Sequence, residues 1–446
     1  MAHFRRLGRN SLLKGCHSAA MSTAVAPFVL AAHGGYIAGQ WVTTGGPGSV
    51  DVVNPATGAL VAKLPNMGAT ETEAAVNAAR AAFPAWAART AADRGAALRR
   101  LHDLMGQNVN GLAALLTLES GKPFEEAKGE IAYSMSYLDW FAEEGKRQYG
   151  DIIPSARGDR RMMTLRQPVG VAALLTPWNF SSAMIARKLA PALAAGCTVV
   201  IRPSANTPLS ALAIVQLAID AGLPPGVINV VVGHDHDAIA GTLCRSRAVA
   251  KLSFTGSTRV GRILMAQCAP TLKRLSMELG GNAPFIVFDD ADIDQAVEGA
   301  MLSKFRNAGQ TCVCANRIFV HASIYNTFRE RLVRRVEALR VGNGMTPGVT
   351  VGPVISRDAL ERIDSWVREA VTAGARVLTG GVRPDTGSNG YFYAPTVIEA
   401  VPASCSLATE EIFGPVAALE TFTDDADVLL RANATEFGLA GYFYSR

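Results

Sequence analysis

No acidic residue precedes Asp51 in this chain of 446 residues, only 18% of its residues are charged, and aromatics make up 7%. Long apolar runs are also missing: the best stretch, "VGVAALLTPWNFSSAMIARKLAPAL", is broken by Pro177, Asn179, Arg187 and Lys188 before it could span a bilayer. No membrane partner is therefore expected. The dinucleotide fingerprint G-x-G-x-x-G is absent, and so is a P-loop. Cysteines number seven, an odd count scattered through a large chain, which argues against a secreted disulfide framework and fits a reducing compartment. The formal charge is only +5, and the first twenty residues supply four positive charges, so the body is near neutral and no nucleic-acid partner is expected.

What is present is a globular composition, 49% hydrophobic, in a chain long enough for two or three domains. Its N-terminus, with Arg5, Arg6, Arg9 and Lys14 among Ser, Leu and Ala, has the composition of a mitochondrial presequence. A disordered tail, or a bacterial chain starting at Met21, is the alternative. Thr70-x-x-Glu73 reads as a capping box opening the helix "EAAVNAARAAF", and further helical patterns make the first third mostly helical. From Val169 short apolar runs such as "VGVAALL", "TVVI", "VINVVV" and "VAKLSFTG" alternate with helices, which predicts βαβ units and a parallel sheet. The alternation resumes after Gly280-Gly281 with "PFIVFDD" and "RIFVHA", so a second α/β domain is expected.

Open parallel sheets bind ligands at the carboxyl ends of their strands. "SFTGSTRVG" follows a strand and opens a helix, so Gly256, the Ser257 hydroxyl and the turn before Gly261 could meet a phosphate, although a tight turn explains the glycines as well. Cys312 and Cys314 in "GQTCVC" are too close for the usual zinc pairs and lack companion ligands, so no metal is expected. His234-Asp235-His236 reads as a solvated loop. Cys312 is either a buried inert thiol or a nucleophile, and its polar, glycine-containing surroundings favour the latter. Glu278, alone before two glycines, could serve as a general base, and the Asn179 amide in "TPWNF" could hold an oxyanion.

"TPWNF", "FTGSTRVG", "MELGGNAPFIV", "GQTCVC" and "EEIFGPV" occur in that order, and with them the chain from about Tyr36 resembles an aldehyde dehydrogenase; "KFRNAGQTCVCANR" and "NFSSAMIARK" further resemble the succinate-semialdehyde dehydrogenase branch. The resemblance implies a Rossmann-like NAD(P)-binding domain (28–148 and 169–277), an oligomerisation arm (149–168) and a second α/β catalytic domain (278–446), after a targeting or disordered segment (1–27). It implies Cys312 as nucleophile, Glu278 as base, and Asn179 with the Cys312 amide as oxyanion hole. Ser257 would take the cofactor pyrophosphate, Trp178 and Lys188 would line the cofactor site, and Glu411 with Phe413 would hold the nicotinamide ribose and ring. Arg187 and Arg306 would grip the carboxylate of succinate semialdehyde, an intermediate of 4-aminobutyrate degradation; interdomain salt bridges are the alternative. Glutarate semialdehyde is the nearest competing substrate, and an inactive cofactor-binding relative the competing class.

Two departures from the family pattern stand out. Where the family shows Lys-Pro-small-Glu, this chain has Arg202, Pro203, Ser204 and Ala205, which removes a carboxylate that would repel a 2′-phosphate and favours NADP over NAD. The chain also stops at Arg446, before a tail that in the family completes the catalytic domain and the oligomer strand, so a dimer or tetramer is expected only with that tail. Cys314 beside Cys312 suggests a redox switch, with a small core residue as the alternative. The expected compartment is the mitochondrial matrix in a eukaryote and the cytoplasm in a bacterium.

Overall fold

The computed structural model describes residues 25–446, so nearly all of the segment 1–27 read as a presequence lies outside the described residues. The chain opens with strands: β1 (Gly35–Ile37), β2 (Gln40–Val42), β3 (Gly46–Val53) and β4 (Leu60–Asn66). The three-residue β1 and β2 carry too little alternation to be told from loop, and the helical part of the first third begins only after all four strands. Four helices follow, α1 (Ala69–Ala87), α2 (Ala91–Gln107), α3 (Val109–Ser120) and α4 (Phe124–Glu144). The expected capping box is displaced. The N-cap of α1 is Gly68, which has no side chain, and Glu71 rather than Glu73 accepts the Gly68 N–H at 2.8 Å.

A small hairpin, β5 (Ile152–Ile153) and β6 (Met162–Met163), leads into the alternating region. There β7 (Val171–Leu175), α5 (Ala183–Ala194), β8 (Thr198–Arg202), α6 (Leu209–Asp220), β9 (Ile228–Val230), α7 (Thr242–Arg245), β10 (Val249–Thr255), α8 (Thr258–Cys268) and β11 (Arg274–Glu278) succeed one another. The seven-stranded sheet runs β11-β10-β7-β8-β9-β1-β2, with β1 alone antiparallel to its neighbours β9 and β2. All five residues of β7 are buried, as a strand covered on both faces must be. The apolar core around this sheet extends from Tyr36 to Cys268.

The rest of the chain is β12 (Ala283–Val287), α9 (Ile293–Phe305), β13 (Ala315–His321), α10 (Tyr325–Glu337), α11 (Arg357–Thr372), β14 (Arg376–Thr379), β15 (Thr396–Glu399), α12 (Ser406–Thr409), β16 (Val416–Phe422), α13 (Asp425–Asn433) and β17 (Tyr442–Tyr444). Its strands form a second sheet, β14-β15-β16-β13-β12-β17, parallel apart from β14, with its own apolar clusters. No helix among the described residues is long and apolar enough to cross a membrane.

Candidate active site

The two sheets meet where β7 ends and where the segment before β13 turns. Asn179 lies in the turn between β7 and α5 and is buried. Its Nδ2 donates to the Gln310 carbonyl at 3.0 Å, while its own carbonyl accepts from Asn307 Nδ2 at 2.9 Å and from Lys122 Nζ at 3.1 Å. One amide N–H of Asn179 is thus spent on the cysteine loop, and the other is left for a ligand.

That loop is backbone-strained. Asn307 and Ala308 have φ of 52° and 54°, and Gly309 follows at 73°. Left-handed backbone costs a non-glycine residue roughly 1–2 kcal/mol, so neighbours must enforce it. Glu126 accepts the Asn307 N–H at 2.9 Å, Gln310 Nε2 donates to the Asn307 carbonyl at 3.0 Å, and Gln310 Oε1 accepts the Ile355 N–H at 2.9 Å. A Cβ on Gly309 would lie 2.1 Å from the Gly414 carbonyl. The segment is therefore pinned to α4, to α11's approach and to the "FGP" turn, and it delivers Cys312 beside Asn179.

Cys312 and Asn179 line one cavity of about 480 Å3, together with Trp178, Gly256, Ser257, Leu279, Gly280, Arg362, Glu411 and Phe413. Burial pushes the Cys312 thiol above its ordinary range, and the charges of Glu411 and Glu278 push the same way. Glu411 accepts the Gly281 N–H at 3.1 Å and is itself raised to about 7 by burial, with the Gly281 donor, Arg362 and Lys304 opposing. Phe413, at φ 50°, meets Trp178 edge-on with ring centroids 5.4 Å apart.

A dinucleotide suits this cavity's walls. The Ser257 hydroxyl caps α8 by accepting the Val260 N–H, and a Cβ on Gly280 would sit 2.7 Å from Glu411 Oε2. On Gly261 it would sit 2.5 Å from Leu279, so helix and strand approach only because side chains are missing. The Thr255 hydroxyl, buried at the same strand end, has no partner. At the next strand, Arg202 ends β8, Ala205 is buried, and Ser204 Oγ accepts the Asn206 N–H at 3.3 Å.

Glu278, the last residue of β11, opens into a neighbouring cavity of about 420 Å3 with Arg187, Lys188, Lys251 and Ser253. Its nearest cation is Arg187, 3.9 Å away, and both side chains are about two-fifths exposed. Lys188 belongs to this cavity and not to the wall formed by Trp178 and Ser257: it donates to Ser253 Oγ at 2.8 Å, and burial lowers its pKa to about 8. The helical turn separating Lys188 from Trp178 turns it under the sheet, which the linear spacing conceals. Arg306 is exposed beside the cysteine loop, its guanidinium 5.4 Å from the centre of the Phe180 ring. Cys314 is buried and points inward, its thiol 3.4 Å from the Lys304 carbonyl.

Several residues of the site give no signal in the sequence. Lys122 and Glu130 form a fully buried ion pair, and Glu130 also accepts the Ser182 and Ala183 N–H groups at the start of α5. Arg362 faces Glu411 across the cavity. Their partners come from distant elements, so no local pattern marks them. Asn307 and Gln310 could have been found as polar residues flanking a cysteine. His236, read as solvated, is exposed but holds Arg202.

Residues 41–446 match the aldehyde dehydrogenase family. The succinate-semialdehyde dehydrogenase [NADP(+)] GabD of Escherichia coli K12 is 53% identical over 410 residues, 92% of this chain and 84% of that one. A glutarate-semialdehyde dehydrogenase of Pseudomonas putida is 52% identical over 411 residues, covering 92% and 85%. A crystal structure of an NADP-dependent E. coli enzyme superposes with a TM-score of 0.91 at 52% identity, over 93% of this chain and 85% of the other.

Proposed function

The chain belongs to the aldehyde dehydrogenase family, and from that premise we propose that it oxidises succinate semialdehyde to succinate with NADP, or less well NAD, as cofactor. The observation that carries this reading is the placement of Cys312 and the Asn179 amide in one cavity, with Arg306 against Phe180 on its wall and Arg187 beside Glu278 in the neighbouring cavity. Residues 28–148 and 169–277 would hold the cofactor, 149–168 would form an oligomerisation arm, and 278–446 would carry the nucleophile.

In this reading Cys312 Sγ attacks the aldehyde carbon, forming a C–S bond and a thiohemiacetal alkoxide, while the thiol proton is lost. The free Asn179 N–H and the Cys312 N–H hold the alkoxide. When bound, nicotinamide would supply the hydride acceptor for oxidation to a thioester; Trp178, Glu411, Phe413 and Arg362 would wall the ring and its ribose, and Gly256, Ser257 and Gly261 would form the turn that takes the pyrophosphate. Glu278 then removes a proton from water, hydroxide attacks the thioester carbon, and the acid leaves as the C–S bond breaks. Arginine suits the substrate's far carboxylate because its fork grips two oxygens at once.

Nicotinamide absorbance followed during addition of succinate semialdehyde tests the proposal. Arg187→Ala and Arg306→Ala should each raise KM for this substrate strongly, by about 1.5–3 kcal/mol of lost charge-assisted contact, and leave an uncharged aldehyde of similar length nearly unaffected. Faster turnover of glutarate semialdehyde would favour that substrate, since a pocket discriminates one methylene by only about 1–3 kcal/mol. Cofactor binding without turnover of any aldehyde would leave an inactive relative. A basic, acid-free N-terminal composition supports the mitochondrial matrix if the source is a eukaryote; in a bacterium the protein would be cytoplasmic.

A further inference from the structure

Arg202 closes β8, and the loop after the neighbouring strand β9 folds back over its guanidinium. Nη2 donates to the Gly233 carbonyl at 3.3 Å and to His236 Nδ1 at 2.6 Å. Arginine has donors only, so Nδ1 accepts and the ring proton sits on Nε2, free to donate. Arg202 Nε is buried and has no partner. Burial lowers the guanidinium to about 10, with no carboxylate opposing the shift, yet it stays charged at neutral pH. A half-satisfied cation that no anion among the described residues compensates is an unfavourable arrangement unless a ligand completes it. It stands at the carboxyl ends of two parallel strands, where such sheets bind their ligands, and Ala205 nearby offers no repelling carboxylate.

The geometry points to a clamp in which Arg202 and His236 together bind the 2′-phosphate of NADP, with His236 setting the preference over NAD. The clamp rests on the cofactor reading proposed above. Arg202 presents its remaining terminal donors to the phosphate oxygens, and His236 adds Nε2–H. The groups facing His236 are Arg202 from β8 and His234, Asp235 and Asp237 from its own loop. Without ligand, burial, Arg202 and His234 hold the imidazole below its usual pKa, the two aspartates opposing. A bound phosphate dianion outweighs Arg202 and reverses that balance, so the ring takes up a proton at Nδ1 as NADP binds; Nδ1 then no longer accepts from Arg202, whose released Nη2–H turns to a phosphate oxygen instead. NAD, which lacks the phosphate, leaves the ring neutral.

Calorimetric titration of the cofactor-free protein with NADP and with NAD, at pH 7 in two buffers of different ionisation heat, reads both affinity and proton uptake. Wild type should bind NADP more tightly and take up protons with NADP only. His236→Gln should lose about tenfold in NADP affinity, the scale of one charge-assisted hydrogen bond, lose most of the proton uptake, and keep its NAD affinity within about twofold. A variant that keeps both NADP affinity and proton uptake overturns the clamp and leaves the cofactor reading standing. Equal losses on the two cofactors also overturn it, because the loop would then serve only the fold. A wild type that prefers NAD defeats the cofactor reading, and the clamp with it.

Discussion

Cys312 rests as a thiol, because burial and two carboxylates disfavour its charge. Alkylation of Cys312 by iodoacetamide, read by mass spectrometry, should therefore rise with pH around a midpoint above the usual value of about 8.5. Glu411→Gln and Glu278→Gln should each lower that midpoint, since each removes a negative charge; an unmoved midpoint would contradict the electrostatics. Asn179→Ala should cost on the order of 10²–10³ in kcat, the measured scale for losing one oxyanion donor, with cofactor affinity preserved. Cys314 faces the Lys304 carbonyl in the interior, so a bridge to Cys312 requires the turn between them to reorganise. If oxidation joins the two, Cys314→Ala should make peroxide inactivation irreversible by thiols, and unchanged reversal would exclude the switch.

At the scale of elements, two buried carboxylates tie the α3–α4 pair to the helices of the cofactor sheet. Glu130 holds the N-terminus of α5 while paired with Lys122, and both side chains are 1% exposed. Breaking one side of a buried pair costs about 3–5 kcal/mol, whereas replacing both can be nearly neutral. Lys122→Met should therefore shift urea unfolding strongly, and Lys122→Met with Glu130→Leu should recover much of the loss. Glu119 holds the N-terminus of α6 by accepting from Leu209 N–H at 2.7 Å and Ser210 N–H at 2.9 Å, and burial raises its carboxyl to about 7. A carboxyl raised on folding binds its proton more tightly in the native state. Its contribution is full below the unfolded pKa and is lost as pH rises through about 7. Between pH 5 and pH 8 that loss is on the order of 3 kcal/mol, and Glu119→Gln should flatten this part of the stability profile.

At the scale of the whole molecule, the hairpin β5–β6 projects apolar side chains that nothing among the described residues covers: Ile152 is 85% exposed and Met163 64%. Such a patch on a small hairpin marks an association surface. With the family's C-terminal tail present, light scattering should report a dimer or tetramer, and Ile152→Asp with Met163→Asp should then give a monomer with its fold intact. A wild-type monomer would leave those side chains without a role.

The alternation of short strands and helices that sets in at Val169, the two α/β units and the candidacy of Cys312, Asn179 and Glu278 were legible in the sequence alone. Each rests on local signals: apolar period, glycine at turns, and a reactive residue type in a polar context. The tertiary structure decided what depends on which elements face each other. It set Lys188 beneath the sheet with Glu278, joined Lys122 to Glu130, and brought His236 from the loop after β9 to Arg202 at the end of β8. It also moved the first helix cap from Thr70 to Gly68. Burial, charge pairing and strained backbone are properties of neighbours distant in the chain, and a linear pattern carries no record of them.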